Sequence, residues 1–475
     1  MSLALSLPPL IQGGMGVGVS NWTLANAVAR CGQLGVVSGT VLDTLLIRRL
    51  AAGDMGGNMR RAMARFPIPG VAESVLARYF RPGGLEPDAP FPLLPMWRRG
   101  VSLMREQVAM LAAFVEVTLA KEGHTGPVGL NLLTKVQLPN LATLYGAMLA
   151  HVDVVLMGAG IPREIPGVLD GLASHLPVEM RLEVDGQPAG TAESFGLDPR
   201  AHWEPSGELQ RPLFLPIISA NSLATTLARK ANGRVDGFVV EGPTAGGHNA
   251  PPRGEMQFNE RNEPVYGDRD IVDLGKMRDL GHPFWVAGGA GSDRALRDAR
   301  AQGAHGVQVG TLFAFCNESG LDAALKSRAL SALAKGEVSV FTDPRASPTG
   351  YPFKVVLMEH DPDEPSRASR VRECDLGYLR VAYAKEGGRI GYRCAAEPVA
   401  DYVQKGGAIA DTEGRRCLCN ALLANLGLGQ RRGGGIEEPP LLTSGSELTE
   451  LRSLLNGRAS YTAAEAIAWV LGVAA

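Results

Sequence analysis

The feature that most limits what this chain can fold into is a rhythm. Eight short apolar runs alternate with stretches of helical periodicity over the first two-thirds of the sequence. The runs are PPLIQ (8–12), LGVVSG (34–39), PVGLNLL (127–133), VDVVLMG (152–158), LFLPIIS (213–219), VDGFVVEG (235–242), PFWVAGG (283–289) and GVQVGT (306–311). Between them, TLANAVAR, REQVAMLAAFVEVTLA, ATLYGAMLA, NSLATTLARKA and DRALRDARAQ place apolar residues at i, i+3, i+4 and i+7, the spacing that buries one stripe of a helix. Strand–helix alternation predicts a parallel sheet. Near-continuous apolar strands are those covered on both faces. Eight of them favour a closed TIM (β/α)8 barrel over an open sheet. The expected class is therefore α/β, with the barrel over residues 1–335, insertions near 43–100 and 178–212, and a smaller C-terminal region at 336–475. An insertion after a strand lies at the catalytic rim, so 43–100 is expected to wall the site. RLEVDGQPAG in the second insertion reads as a hairpin on an Asp-Gly turn.

Composition removes several function classes. The chain is 45% hydrophobic and 20% charged, as a protein with a sizeable core should be. Lys plus Arg number 47 against 49 Asp plus Glu, which argues against a general nucleic-acid binder. No run approaches the ~18 apolar residues of a membrane span, and MSLALSLPPL carries no basic residue or cleavage pattern of a signal peptide. The expected location is cytoplasmic, with no nucleic acid or membrane as partner and a homo-oligomer left open. No repeat period marks a solenoid.

The first run opens into LIQGGMGVGVSNWTLA (10–25). Glycines between strand and helix first suggest the dinucleotide fingerprint G-x-G-x-x-G. The spacing refuses it: after Gly16 and Gly18 the third position is Asn21, and counted from Gly14 it is Val19. No carboxylate follows at the distance ribose recognition needs.

Chemistry in such a barrel sits where strands end, and this rule sorts the histidines. His124, His151, His282 and His305 precede strands; His175, His202 and His360 lie in or beside connecting segments. Only His248, in VVEGPTAGGHNAPPRG, follows a strand exit. Gly246 and Gly247 before it lack a Cβ, so the backbone can press on a planar ring while His248 projects over its face. Strand seven ends in AGGAGS, with Gly288 and Gly289, and strand eight in VGTLF, with Gly310 and Thr311. Those two exits form the standard phosphate site of these barrels. A phosphate there and a glycine exit after strand one suit FMN, with Asn131 and Glu241 as strand-end partners for its ring or ribityl group. Lys135 and Arg253 are read either as cations that offset a substrate's charge or as solvated surface charges, and SPTGYPF (347–353) as a lid or a linker.

Together LIQGGMGVGVSNWTLANAVARCGQLGVVSG, VGLNLL, VVEGPTAGGH, VAGGAGS and GVQVGTLF resemble the nitronate monooxygenase family of FMN-dependent TIM barrels, over about residues 8–320. The resemblance implies FMN as cofactor and O2 as co-substrate, a catalytic His248, and flavin contacts at Gly14, Met15, Asn131, Gly288, Gly289, Gly310 and Thr311. Where many relatives read A-P-M, this chain has Gly13-Gly14-Met15. The G-G-H loop is similar also to that of flavin-dependent enoyl-ACP reductases, which implies NAD(P)H and an acyl chain on a carrier protein. A non-catalytic flavin-binding subunit is the third alternative.

Four of the six cysteines, Cys374, Cys394, Cys417 and Cys419, fall in the C-terminal region. Structural zinc prefers C-x2-4-C pairs, and the close pair here is C-x-C, so free, partly buried thiols and no metal are expected. EEPPLLTSGSELTELRSLL reads as a loop before a serine-capped helix. QRRGGG reads as an internal loop. The last helix, AAEAIAWVLGV, is expected to dock on the body or on a second subunit.

Overall fold

All eight expected strands form, shorter at their ends than the apolar runs. They are β1 (Leu10–Gln12), β2 (Gly35–Ser38), β3 (Val128–Leu133), β4 (Val154–Gly158), β5 (Leu213–Ile218), β6 (Phe238–Glu241), β7 (Phe284–Ala287) and β8 (Gly306–Val309). The computed structural model describes residues 7–188, 190–361, 370–433 and 435–473. Residues 1–6, on which much of the leader reading rests, lie outside them, as do Ala189 in the second insertion and Gly434 in QRRGGG. Every neighbouring pair in the barrel is parallel, β1 pairs with β8, and the bridge Ile11–Leu34 closes the ring between β1 and β2. The chain therefore folds as a TIM barrel.

Alternation along each strand divides the apolar residues into two cores. Ile11, Val36, Val154, Leu156, Leu215, Val239 and Trp285 fill the barrel interior. Gly129 makes room for them: a Cβ there would stand 3.1 Å from Leu156 and 3.2 Å from Val36. Outward residues such as Val37, Leu130, Val155, Phe214 and Phe238 pack under the helices. Those helices begin where the sequence supplies caps. Asn21, Ser102, Ser292 and Asp322 each accept from an N–H three residues on, starting Trp22–Arg30, Leu103–Ala120, Asp293–Ala301 and Ala323–Lys335.

The C-terminal region folds back over the strand exits. A hairpin, Val338–Asp343 with Phe353–Met358, lies beside the loop after β6 through the bridge His248–Phe353. A second antiparallel pair, Val381–Ala384 with Ile390–Arg393, takes Val184–Asp185 as a parallel third strand. The second insertion does form a hairpin, Val178–Leu182 with Glu193–Leu197, but not on the expected Asp-Gly turn: residues 183–192 connect the two strands, and Val184–Asp185 within them pair with the C-terminal sheet instead. Arg431–Arg432 and Ile436–Glu437 pair across the tip of QRRGGG. The final helix, Ala463–Leu471, docks on the body: its capping box joins Thr462 and Glu465, and Trp469 Nε1 donates to the Gly291 carbonyl at 3.1 Å.

One expectation fails. Residues 43–100 do not wall the barrel mouth. Their helices, Leu42–Ala51, Asn58–Met63 and Val71–Tyr79, pack against Leu103–Ala120 on the flank. The cause is the apolar length of Leu103–Ala120, buried over most of its surface, which needs more cover than its barrel neighbours supply. Asp43 anchors the insertion. It is buried, ion-paired with Arg105 Nη1 at 2.7 Å, accepts from Trp97 Nε1 at 3.0 Å and Tyr378 Oη at 2.5 Å, and so ties the flank to the C-terminal region. Despite its burial, the Arg105 guanidinium and the Tyr378 and Trp97 donors hold its carboxyl below the ordinary range.

Candidate functional site

The strand exits surround one cavity of about 470 Å3. Gly14, Met15, Asn131, Glu241, Gly246, Gly247, His248, Gly288, Gly289, Gly310 and Thr311 all border it. The floor follows from small residues. A Cβ on Gly14 would stand 2.2 Å from the Asn131 Cβ, so only glycine lets this loop cross β3. Asn131 Nδ2 holds it there, donating to the Gly14 carbonyl at 3.0 Å. Gly288 and Gly289 both take positive φ, 86° and 70°, which only glycine adopts at little cost.

Two side-chain acceptors on this floor, Asn131 Oδ1 and Gln308 Oε1, are buried without a hydrogen-bond partner. Buried acceptors are seldom left unpaired, and both border the cavity. They fit a ligand that brings N–H or O–H donors. Glu241 stands at the end of β6 with its carboxyl out of water, and desolvation pushes its pKa up to about 7. A neutral carboxylic acid adds an O–H donor to the same wall.

His248 sits above this floor. Its Nε2 is 2.7 Å from Ser347 Oγ, which also contacts Thr349 Oγ1 at 2.8 Å. Phe353 meets the ring edge-on, centroids 4.9 Å apart. Desolvation and then the Lys135 ammonium lower the pKa of His248 to about 4, so the imidazole is neutral near pH 7. Lys135 is more than a solvated cation: its Nζ lies 3.2 Å from the centroid of the Tyr351 ring, and burial lowers its pKa to about 8. Arg253 by contrast is exposed and donates to the carbonyls of Arg269 and Ser219.

The roof comes partly from SPTGYPF, which folds back as a lid with Tyr351 and Phe353 on the cavity and Ser347 bonded to His248; the rest comes from residues that sequence reasoning did not single out for the site. Further along, Tyr378, Leu379, Leu418, Cys419, Leu422, Leu442 and the loop Thr443–Glu447 complete the wall. That loop leads into Leu448–Leu455, whose start has no side-chain cap rather than the expected serine. A hydroxyl- and glycine-rich stretch, TSGSE, was the available signal, but nothing local says which strand ends it covers.

The four C-terminal cysteines do converge. Cys374 and Cys394, like Cys417 and Cys419, act on each other's titration, and each pair lies in the electrostatic field of the other. Among the described residues no group of three or more His, Cys, Asp or Glu side chains is arranged to hold a metal ion. Nor is any described helix long and apolar enough to cross a membrane.

Residues 120–344 match the family described as nitronate monooxygenase. That stretch, a little under half of the chain, is similar to the nitronate monooxygenase family. A curated nitronate monooxygenase of Pseudomonas aeruginosa is 31% identical over 154 residues, 32% of this chain and 40% of that protein. The match thus spans less than half of that relative's length. Two solved structures align over 98% of this chain and 95% of their own. One is a nitroalkane oxidase from Streptomyces ansochromogenes, 15% identical with a TM-score of 0.44. The other is the enoyl reductase domain of MlnA from the macrolactin cluster of Bacillus amyloliquefaciens, 11% identical with a TM-score of 0.45. The stretch matched to the nitronate monooxygenase family runs from just before β3 to the first strand of the C-terminal hairpin.

Proposed function

We propose that the chain is an oxidoreductase that holds FMN across the barrel mouth and oxidises alkyl nitronates or nitroalkanes with O2. The carrying observation is a neutral imidazole, His248, above a glycine floor with two unpaired buried acceptors. Asn131 and Gln308 offer those acceptors to the ring or ribityl donors of a flavin, Glu241 offers a donor, and the exits at Gly288–Gly289 and Gly310–Thr311 take the phosphate. Bound there, FMN supplies the capacity to take electrons from carbon and pass them to O2.

The chain's own residues handle the proton. His248 Nε2 is held by Ser347, which fixes the ring plane. A nitroalkane above the ring gives its α-proton to the neutral imidazole. A nitronate arrives without that proton, and its negative charge raises the imidazole pKa from its low resting value, so the ring becomes a donor that orients the anion. Lys135, stacked on Tyr351 of the lid and acting electrostatically on His248, offsets the substrate's charge. The lid segment 347–353 keeps water from the ring.

One observation favours a second reading. Beyond the flavin floor the cavity is walled by Leu379, Leu418, Cys419 and Leu422, more apolar surface than a small nitroalkane covers. An acyl chain fills it better, which suits NAD(P)H-dependent reduction of an enoyl thioester on a carrier protein. The test uses the purified protein loaded with FMN. Nitronate-dependent O2 uptake supports the first reading. Rapid anaerobic bleaching by NAD(P)H, with turnover of an enoyl thioester, supports the second. A protein that never takes up a flavin, isolated or reconstituted, defeats both.

A further inference from the structure

The loop Thr443–Glu447 is fastened across the rim where β7 and β8 end. The Gly445 N–H donates to Thr311 Oγ1 at 3.0 Å, the Ser446 N–H to the Thr244 carbonyl at 2.9 Å, and the Gly247 N–H to Thr443 Oγ1 at 3.1 Å. Glu447 stands just before the turn Leu448–Glu450, where a carboxylate could cap the N–H groups behind it. It does not cap them. Its side chain borders the rim cavity instead, beside Gly289, where the Gly289 N–H and the Thr244 side chain favour its charged form. Its Oε1 lies 2.5 Å from where a Cβ on Gly289 would be. The carboxylate is half-buried, with Lys354 as a nearby cation and Glu450 as a repelling neighbour. The chain itself thus sets a carboxylate against the glycine exit of β7.

We propose that this is the seat of the flavin phosphate and that Glu447 is its resident anion, displaced when FMN binds. The inference rests on the flavin reading above. A carboxylate and a phosphate dianion cannot both stand against Gly289, because like charges so close repel strongly where water is scarce. Glu447 therefore works against FMN and is indifferent to riboflavin, which has no phosphate. It also makes the loop Thr443–Glu447 responsive to cofactor loading, since the side chain must leave Gly289 for the phosphate to enter.

The test uses the full chain, stripped of flavin, as wild type and Glu447→Gln, titrated separately with FMN and riboflavin by quenching of flavin fluorescence. Glu447→Gln keeps the shape and removes the charge. The expected result is FMN binding tightened about tenfold, the effect of a modest coupling energy, with riboflavin binding unchanged. Equal FMN affinity in the two proteins, equal tightening of both flavins, or weaker FMN binding by the variant overturns the proposal while leaving the flavin site standing. Failure of the wild type to bind either flavin overturns the flavin reading itself. A second measurement needs no variant: amide exchange across residues 441–450 of the wild type should change with FMN and not with riboflavin. The same response to both ligands, or to neither, also overturns it.

Discussion

An imidazole can accept a proton only while it is neutral, and at His248 that state is maintained by lack of water and by the Lys135 ammonium. His248→Ala should leave the flavin spectrum intact and lower kcat on a nitroalkane by ~10²–10⁴-fold, the usual worth of general acid–base catalysis; an unchanged kcat would take the proton-accepting role away from His248. The same burial makes two stability predictions of opposite sign. The pKa of His248 falls from an ordinary 6.5 to about 4 on folding, so the unfolded chain binds the proton more readily and stability is lost as pH drops from 6.5 towards 4. That of Glu241 rises from 4.5 to about 7, so its contribution is complete below pH 4.5 and is lost as pH rises through 7. Thermal melts across pH 4–7.5 should show a shallower acid-side loss in His248→Gln and a shallower loss towards pH 7 in Glu241→Gln. Parallel curves for wild type and variants would refute the assignment.

At the scale of elements, the barrel is positioned by local rules and its covering by buried polar ties. The helices start at Asn21, Ser102, Ser292 and Asp322 because each supplies an oxygen to an otherwise unpaired N–H. The flank insertion is held differently, by Asp43 against Arg105, Trp97 and Tyr378. Asp43→Ala leaves the Arg105 guanidinium buried beside no carboxylate. Such a break costs about 3–5 kcal/mol, so chemical denaturation should show a clearly lower midpoint. A midpoint within error of wild type would mean that the tie carries no net weight.

At the scale of the whole molecule, the C-terminal region is the roof of the site and part of the same core. Leu441, Leu442, Leu451 and Ile467 belong to one apolar cluster with the barrel's outer helices. Tyr461 Oη donates to the Leu312 carbonyl at 2.5 Å, and the Ala463 N–H reaches Glu318 Oε2 at 2.8 Å. A chain ending at residue 335 would expose that cluster. It should aggregate or elute in the void volume on gel filtration, and a soluble monomeric barrel with normal flavin uptake would contradict this account.

By itself the sequence determined the barrel, because its information is local. An apolar run, a glycine exit and a capped amphipathic helix repeat within a few dozen residues, and each is visible without its neighbours. It likewise placed Gly14, Asn131, Glu241, His248, Gly288 and Gly310 at strand ends, hence at one mouth. Only the tertiary structure decided what closes that mouth. Ser347 reaches His248 across 99 residues, and Gly445 reaches Thr311 across 134. The 43–100 insertion, expected at the rim, went to the flank because Leu103–Ala120 needed covering. Periodicity records which face of a segment is buried; it does not record against what, since any apolar surface of the right shape lowers the free energy equally well. The choice among such surfaces is made by the few polar ties that fit in one arrangement, and these are pairs distant in the chain.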